Sequence, residues 1–303
     1  MAVNIYKNQS TNIMKTWVFM SLFFVLIILL GWVFSRIYGN PAILVGFVIF
    51  SIILNITSFW YSDKIVLKLH RAKLATREEY FDLWNITENL SITAGLPMPK
   101  LYIVDDSAPN AFATGRDKEH AVVAVTTGLL LILERNELEG VIAHELSHIG
   151  NRDILLSTIV VVLAGFVTLL SDFFLRTAHW GGGRNNNGKG GQIQGILFLA
   201  GIVLAVLSPI IASLIQFAIS RKREFLADSS GVLLTRYPEG LANALRKISS
   251  TPIIMRTANH ATAHLFISNP FGSGKNIRGF LTKMFSTHPP VEERVHALLG
   301  NND

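Results

Sequence analysis

The stretch Val141-Ile142-Ala143-His144-Glu145-Leu146-Ser147-His148 carries two histidines four residues apart, with a glutamate directly after the first and apolar residues around them at helical spacing. On a helix, positions i and i+4 lie on one face, one turn apart. Two imidazoles so placed reach one metal ion, and Glu145 stands where it can address a water on that ion. A chain of this length shows the H-E-x-x-H pattern by chance at roughly the one-per-cent level. An amphipathic helix with two packing histidines reads the same way. What decides between these readings is a third ligand and the scaffold that brings it.

Half of the 303 residues are hydrophobic and 16% are charged, against about a quarter charged in soluble domains. The mean hydropathy of +0.40 points to a membrane protein. The net charge is +6, but the basic residues cluster at the ends of apolar segments. That is the pattern of membrane flanks rather than of a nucleic-acid surface, so no nucleic-acid partner is expected. The absence of cysteine removes a disulfide framework, a thiolate metal site and a cysteine nucleophile.

Four apolar runs are long enough to cross a bilayer: Trp17 to Ile37, Ala42 to Tyr61, Ile154 to Leu175 and Ile193 to Ile219. The first is too long for a signal-peptide core and no small-x-small cleavage site follows it, so it reads as a retained helix. Gly39-Asn40-Pro41 turns it into the second. Residues 181–191 are a low-complexity Gly/Asn loop between the third and fourth, and Pro209 is expected to kink the fourth. One side of the spans carries Lys7, Lys15, Lys64, Lys68, Arg71, Lys73, Arg77, Arg152, Arg221, Lys222 and Arg223, and the other carries Arg36, Arg176, Arg184 and Lys189. The richer side is expected in the cytoplasm, with both termini and the H-E-x-x-H segment.

Between the spans, Thr76-Arg-Glu-Glu79 is a capping-box pattern that predicts a helix running to Gly95. Leu101–Val104, Ala111–Thr114 and Ala121–Val125 predict strands, and the motif helix is expected from Glu137 to about Gly150. The expected class is a mainly α-helical membrane protein with a small β-sheet. Four transmembrane helices would carry a cytoplasmic gluzincin-like metalloprotease domain assembled from two chain segments. The divisions are 1–61 (tail and first hairpin), 62–153 (first part of the catalytic domain), 154–220 (second hairpin) and 221–303 (second part).

A catalytic zinc needs three protein ligands and one open position. The longer H-E-x-x-H-x-x-G-x-x-H form requires Gly at 151 and His at 154, where this chain has Asn151 and Ile154. A glutamate from a later helix is the alternative. Glu224 lies just after the fourth apolar run on the same side as His144, although it could instead pair with Arg221 or Arg223. Asp228, one turn further on, is placed to orient a ligand histidine.

His144-Glu-Leu-Ser-His148, Arg152-Asp153 and Glu224-Phe-Leu-Ala-Asp228 resemble the HtpX-type membrane zinc endopeptidases, bacterial relatives of the type-1 prenyl-protein (CAAX) proteases. The likeness extends to Gly95-Leu-Pro-Met-Pro99, Pro109 to Gly115, Ala121 to Gly128, and Ser286-Thr-His-Pro-Pro290 with Arg294. It implies a zinc-dependent endopeptidase of the cytoplasmic membrane acting in protein quality control. One zinc would be held by His144, His148 and Glu224, with Glu145 as acid/base. Protein or peptide substrates, membrane proteins among them, and the lipid bilayer are the implied partners.

For peptide hydrolysis an oxyanion donor is also needed. His288, held by Pro289 and Pro290, is the candidate, with Arg294 on the following helix; a helix-opening residue without a chemical role is the other reading of His288. Strand addition at an unpaired edge formed by Ala111, Ala121 and Val123 would hold an extended peptide. Asn110 is either a contact to that peptide or a turn residue. A non-catalytic membrane scaffold with structural zinc would not need Glu145.

Overall fold

The structure, a computed structural model, describes residues 5–180, 201, 221–258, 262–271 and 289–300. Helices α1 (Ile5–Tyr38) and α2 (Pro41–Leu69) form a hairpin. Gly39 takes φ +63°, and Asn40 caps α2 by accepting the Ala42 N–H at 3.0 Å, with Pro41 in the first turn. Helix α6 (Asp153–Trp180) packs on this hairpin, with Ile159, Leu163 and Val167 against Met20, Phe23 and Ile27. Trp17, Leu22, Val25, Val45, Ile49 and Ile53 stay exposed on the outer faces, as lipid-facing residues do. Three helices among the described residues are long and apolar enough to cross a membrane: Ser10–Tyr38, Pro41–Leu69 and Asp153–Asp172. The fourth apolar run, 193–219, and the 181–191 loop lie outside the described residues.

The sheet contains β1 (Lys73–Leu74), β2 (Lys100–Val104), β3 (Ala111–Thr114) and β4 (Val122–Thr126) in the order β1-β2-β4-β3. β2 and β4 pair parallel; the other two pairings are antiparallel. β1 was not anticipated, being only two residues long. Around the sheet lie α3 (Phe81–Ala94), α4 (Thr127–Ile132) and α5 (Arg135–Gly150), then α7 (Arg221–Thr235), α8 (Pro238–Ser250) and α9 (Val291–Leu299). The Thr76 box does not open α3. Thr76 Oγ1 accepts from Glu79 N at 3.4 Å and closes a turn, and the helix begins at Phe81. Gly95 ends α3 in the left-handed conformation, φ +65°, its N–H returning to Ser91 and Ile92 carbonyls.

Both faces of the sheet are buried. On one, Ala111, Ala113, Val123 and Val125 meet Val141, Ile142 and Leu146 of α5 and Leu241 and Leu245 of α8. On the other, Phe112, Val122 and Ala124 meet Val66 and Leu67 of α2 and Phe266. Gly140 and Gly231 let α8 and α7 approach α5 closely. A Cβ on Gly140 would stand 2.7 Å from Leu241 N, and one on Gly231 would stand 3.1 Å from His144 N.

His70, just past α2, is buried with ring centroids 5.6 Å from Phe112 and 5.0 Å from Phe266, and its Nδ1 lies 2.9 Å from Thr257 Oγ1. Burial lowers its pKa from 6.5 to about 4, against the opposing pull of Asp106. Between those values the unfolded chain binds a proton that the folded one does not. Stability therefore falls as pH drops through that window, by up to about 3 kcal/mol. Melting in detergent from pH 7 to pH 4.5 is expected to fall more steeply for the wild-type chain than for His70→Phe; parallel curves would remove His70 as the cause.

Candidate metal centre

Helix α5 carries the H-E-x-x-H segment through the middle of the protein. Its start lies two residues earlier than the sequence suggested, because Glu134 and Glu137 form a reciprocal capping box across Arg135 and Asn136. Lys247 of α8 donates to Glu137 at 2.7 Å and neutralises the buried carboxylate. The helix is buried on nearly every side, so His144 and Glu145 are each only 1% exposed.

His144, His148 and Glu224 present ligand atoms that all lie within 4.8 Å of one another. His148 Nε2 is 3.1 Å from His144 Nε2 and 3.6 Å from Glu224 Oε1, and His144 Nε2 is 3.9 Å from Glu224 Oε2. Donors around a tetrahedral zinc at about 2.0–2.1 Å stand roughly 3.4 Å apart, so the spacing fits. The backing of the two imidazoles points the same way. His144 Nδ1 lies 2.9 Å from Asp228 Oδ1, and His148 Nδ1 lies 3.1 Å from Asp153 Oδ2. With each Nδ1–H given to its carboxylate, both Nε2 atoms turn into the cluster, where a metal ion would take their lone pairs. Two imidazole nitrogens and a carboxylate packed this closely need a cation between them, a metal ion or, without one, a proton on His148.

Charge in the cluster is set by its surroundings. Burial holds His144 below the ordinary imidazole value although Asp228 pulls upward. Burial opposes a charge on His148 too, but the Asp153 bond and the Glu224 and Glu145 carboxylates outweigh it and raise His148 to about 9. Burial raises Glu145 to about 7, with Glu224 adding to the rise and His148 opposing it. The Ala113 backbone also opposes the rise. A small cavity of about 30 Å³ opens beside these groups, and Ala113, Ser157 and His264 are among its lining residues.

Arg294 of α9 is 1% exposed and forks onto Asp228, with Nε to Oδ2 at 2.8 Å and Nη2 to Oδ1 at 2.6 Å. Its Nη1 bonds the Ile267 carbonyl at 3.2 Å and stands 3.8 Å from Glu224 Oε2. Burial pushes the Asp228 carboxyl up, but Arg294 and His144 more than offset this and hold it below its usual range. The structure thus places Asp228 behind His144, and Arg294 behind Asp228 rather than facing a substrate. His288 lies outside the described residues.

The substrate-edge expectations need correction. β4 is an interior strand between β2 and β3, so Val123 has neighbours on both sides. Ala121 precedes β4, and its carbonyl accepts from Lys100 N at 3.1 Å. Neither can receive a peptide. β3 is the edge, yet the Ala111 carbonyl already accepts from Ile267 N at 2.9 Å, and Phe112 bridges to Phe266. Asn110 is 2% exposed and its amide is spent inside the protein. Nδ2 donates to the Ser268 carbonyl at 2.9 Å, while Oδ1 accepts from Ala111 N and Ser268 N. It clamps the 268 segment to β3.

Sequence reasoning did not place Asp153, Arg223 or Asn12 around the site; His264, readable as a packing or capping group, lines the cavity. Asp153 had a readable signal, a carboxylate five residues past His148 at the start of a helix. Asn12 had none, since it comes from a different span.

Comparison with known proteins agrees with this geometry. A model of Peptidase family M48 matches residues 79–302. "Protease HtpX homolog" of Caldanaerobacter subterraneus subsp. tengcongensis is 45% identical over 297 residues, 97% of each chain. The protein of the same name from Thermoanaerobacter pseudethanolicus is 46% identical over 299 residues, again 97% of each. The crystal structure of S. mikatae Ste24p, at 19% identity, shares the fold with a TM-score of 0.53 over 97% of this chain and 67% of that one. With the family model covering most of its length, and with relatives this similar from end to end, this chain belongs to Peptidase family M48.

Proposed function

We propose that the chain is a zinc-dependent endopeptidase of the cytoplasmic membrane that hydrolyses misfolded or damaged membrane proteins. The observation that carries this is the convergence of His144, His148 and Glu224 beside the buried Glu145. His144, His148 and Glu224 would hold a zinc ion, which when bound would polarise the scissile carbonyl and make water more acidic. Glu145 accepts the proton of the attacking water and returns it to the leaving nitrogen, a role suited to a buried carboxylate beside the three ligands. Asp228 and Asp153 hold the two imidazoles in the tautomer that presents Nε2. His288 as oxyanion donor belongs to the same reading, on sequence grounds.

The cavity supports a membrane-associated substrate, because Asp153, Ile154 and Ser157 of the third span form part of its wall. Four spans, cytoplasmic termini and a catalytic unit built from residues 62–153 and 221–303 complete the reading. They are supported by the distribution of Lys and Arg and by the packing of α5 against α7 and α8.

Purified protein in detergent is expected to contain one zinc per chain and to cleave unfolded casein. Chelation should lower the rate by about 100-fold or more, in line with loss of a catalytic ion, and added zinc should restore it. Undiminished cleavage by metal-stripped protein would exclude this reading.

A further inference from the structure

Asn12 sits near the start of the first candidate span and is 4% exposed, yet it makes no use of the bilayer. Its Nδ2 donates to Asp153 Oδ1 at 2.8 Å and to the Asn151 carbonyl at 3.2 Å. Its Oδ1 accepts from Arg223 Nη1 at 3.1 Å, and the same Nη1 donates to Asp153 Oδ1 at 3.1 Å. One oxygen of Asp153 therefore holds two donors, Asn12 and Arg223. The other faces His148 Nδ1. Arg223 also directly precedes Glu224 in α7. One amide from the first span thus touches the residue behind one ligand and the neighbour of another. Only a group that donates and accepts at once can serve Asp153 and Arg223 together without adding charge.

We infer that Asn12 is a positioning residue that ties the first membrane-spanning helix to the metal ligand His148 through Asp153. This rests on the metal reading above. With the amide gone, Asp153 loses one of its two fixing donors and its carboxylate turns more freely. His148 then presents Nε2 over a wider range of orientations. Partners behind metal ligands contribute about 10- to 100-fold in metal affinity, and Asn12, one link further back, is expected at the lower end.

The test uses the full chain in detergent, stripped and titrated with Co²⁺ against a competing chelator while the visible absorption bands are recorded. Asn12→Ala is expected to weaken Co²⁺ binding about tenfold and to shift the bands. Asn12→Leu, which keeps the volume and the helix, is expected to behave alike, so a fold defect in one variant does not decide the matter. Asn12→Gln should recover most of the affinity. Asn55→Ala serves as control, since that amide donates to its own helix at Ser51 O, and it should leave binding unchanged. Wild-type affinity and spectrum in both Asn12→Ala and Asn12→Leu would overturn the inference. Equal weakening by Asn55→Ala would overturn it too, by showing a general effect of disturbed spans. A wild-type chain that binds no Co²⁺ would instead remove the metal reading on which it rests.

Discussion

Glu145→Gln is expected to lower cleavage of casein by about 10³-fold or more while zinc content stays at the wild-type level. The substitution is isosteric, and the side chain is buried, so the helix and the cavity keep their shape. Glutamine also keeps an acceptor oxygen. What it cannot do is take up a proton. The two histidines and Glu224 are untouched, so the ion has no reason to leave. Metal analysis and kcat on one preparation check both halves. Wild-type turnover in Glu145→Gln would assign the proton transfer to another group. Loss of zinc together with activity would show that the substitution disturbs the ligands.

Arg294→Met is expected to destabilise the protein by about 3–5 kcal/mol, on the order of 10 °C in melting temperature. Arg294 and Asp228 are almost wholly buried and meet through two bonds of 2.6 and 2.8 Å. Methionine fills much of the volume but leaves the Asp228 charge without its main counter-ion in a low-dielectric place. The Ile267 carbonyl also loses its donor. Removing the stranded charge as well, in Arg294→Met with Asp228→Asn, should restore part of the loss, because an uncompensated charge costs more than an absent pair. A single variant melting within a degree or two of wild type would mean that Asp228 finds another partner.

The His144, His148 and Glu224 cluster was legible because its spacing is local chemistry. His144 and His148 share a face of one helix, and Glu224 follows an apolar run at a position where a third donor was required. Asp228 was legible for the same reason, being one turn from Glu224. The residues behind them were less so. Asn12 meets Asp153 across 141 positions of sequence, and no periodicity records such a meeting. The strand order was a different case. Ala121–Val125 and Ala111–Thr114 are both apolar runs covered on both faces, and that pattern does not say which of them lies at the edge of the sheet. The Thr76 pattern fits a cap, but the chain used it to close a turn before Tyr80. Asn110 had two local readings, and tertiary contacts with Ser268 chose between them.

The joint between α5 and α6 has one further consequence. Only Asn151 and Arg152 separate the two helices, with Arg152 at φ +57°. The His148–Asp153 bond spans that joint, and Thr114 of β3 is tied to Thr158 of α6 at 2.9 Å. The helix with His144 and His148 and the apolar helix after it are therefore tied together across a two-residue joint. Widening of the cleft falls to the opposite wall, where His264, Leu265 and Phe266 rest on the sheet edge. A bilayer thickness that changes the tilt of α6 is therefore expected to alter the rate of cleavage, which reconstitution in lipids of different acyl-chain length would measure.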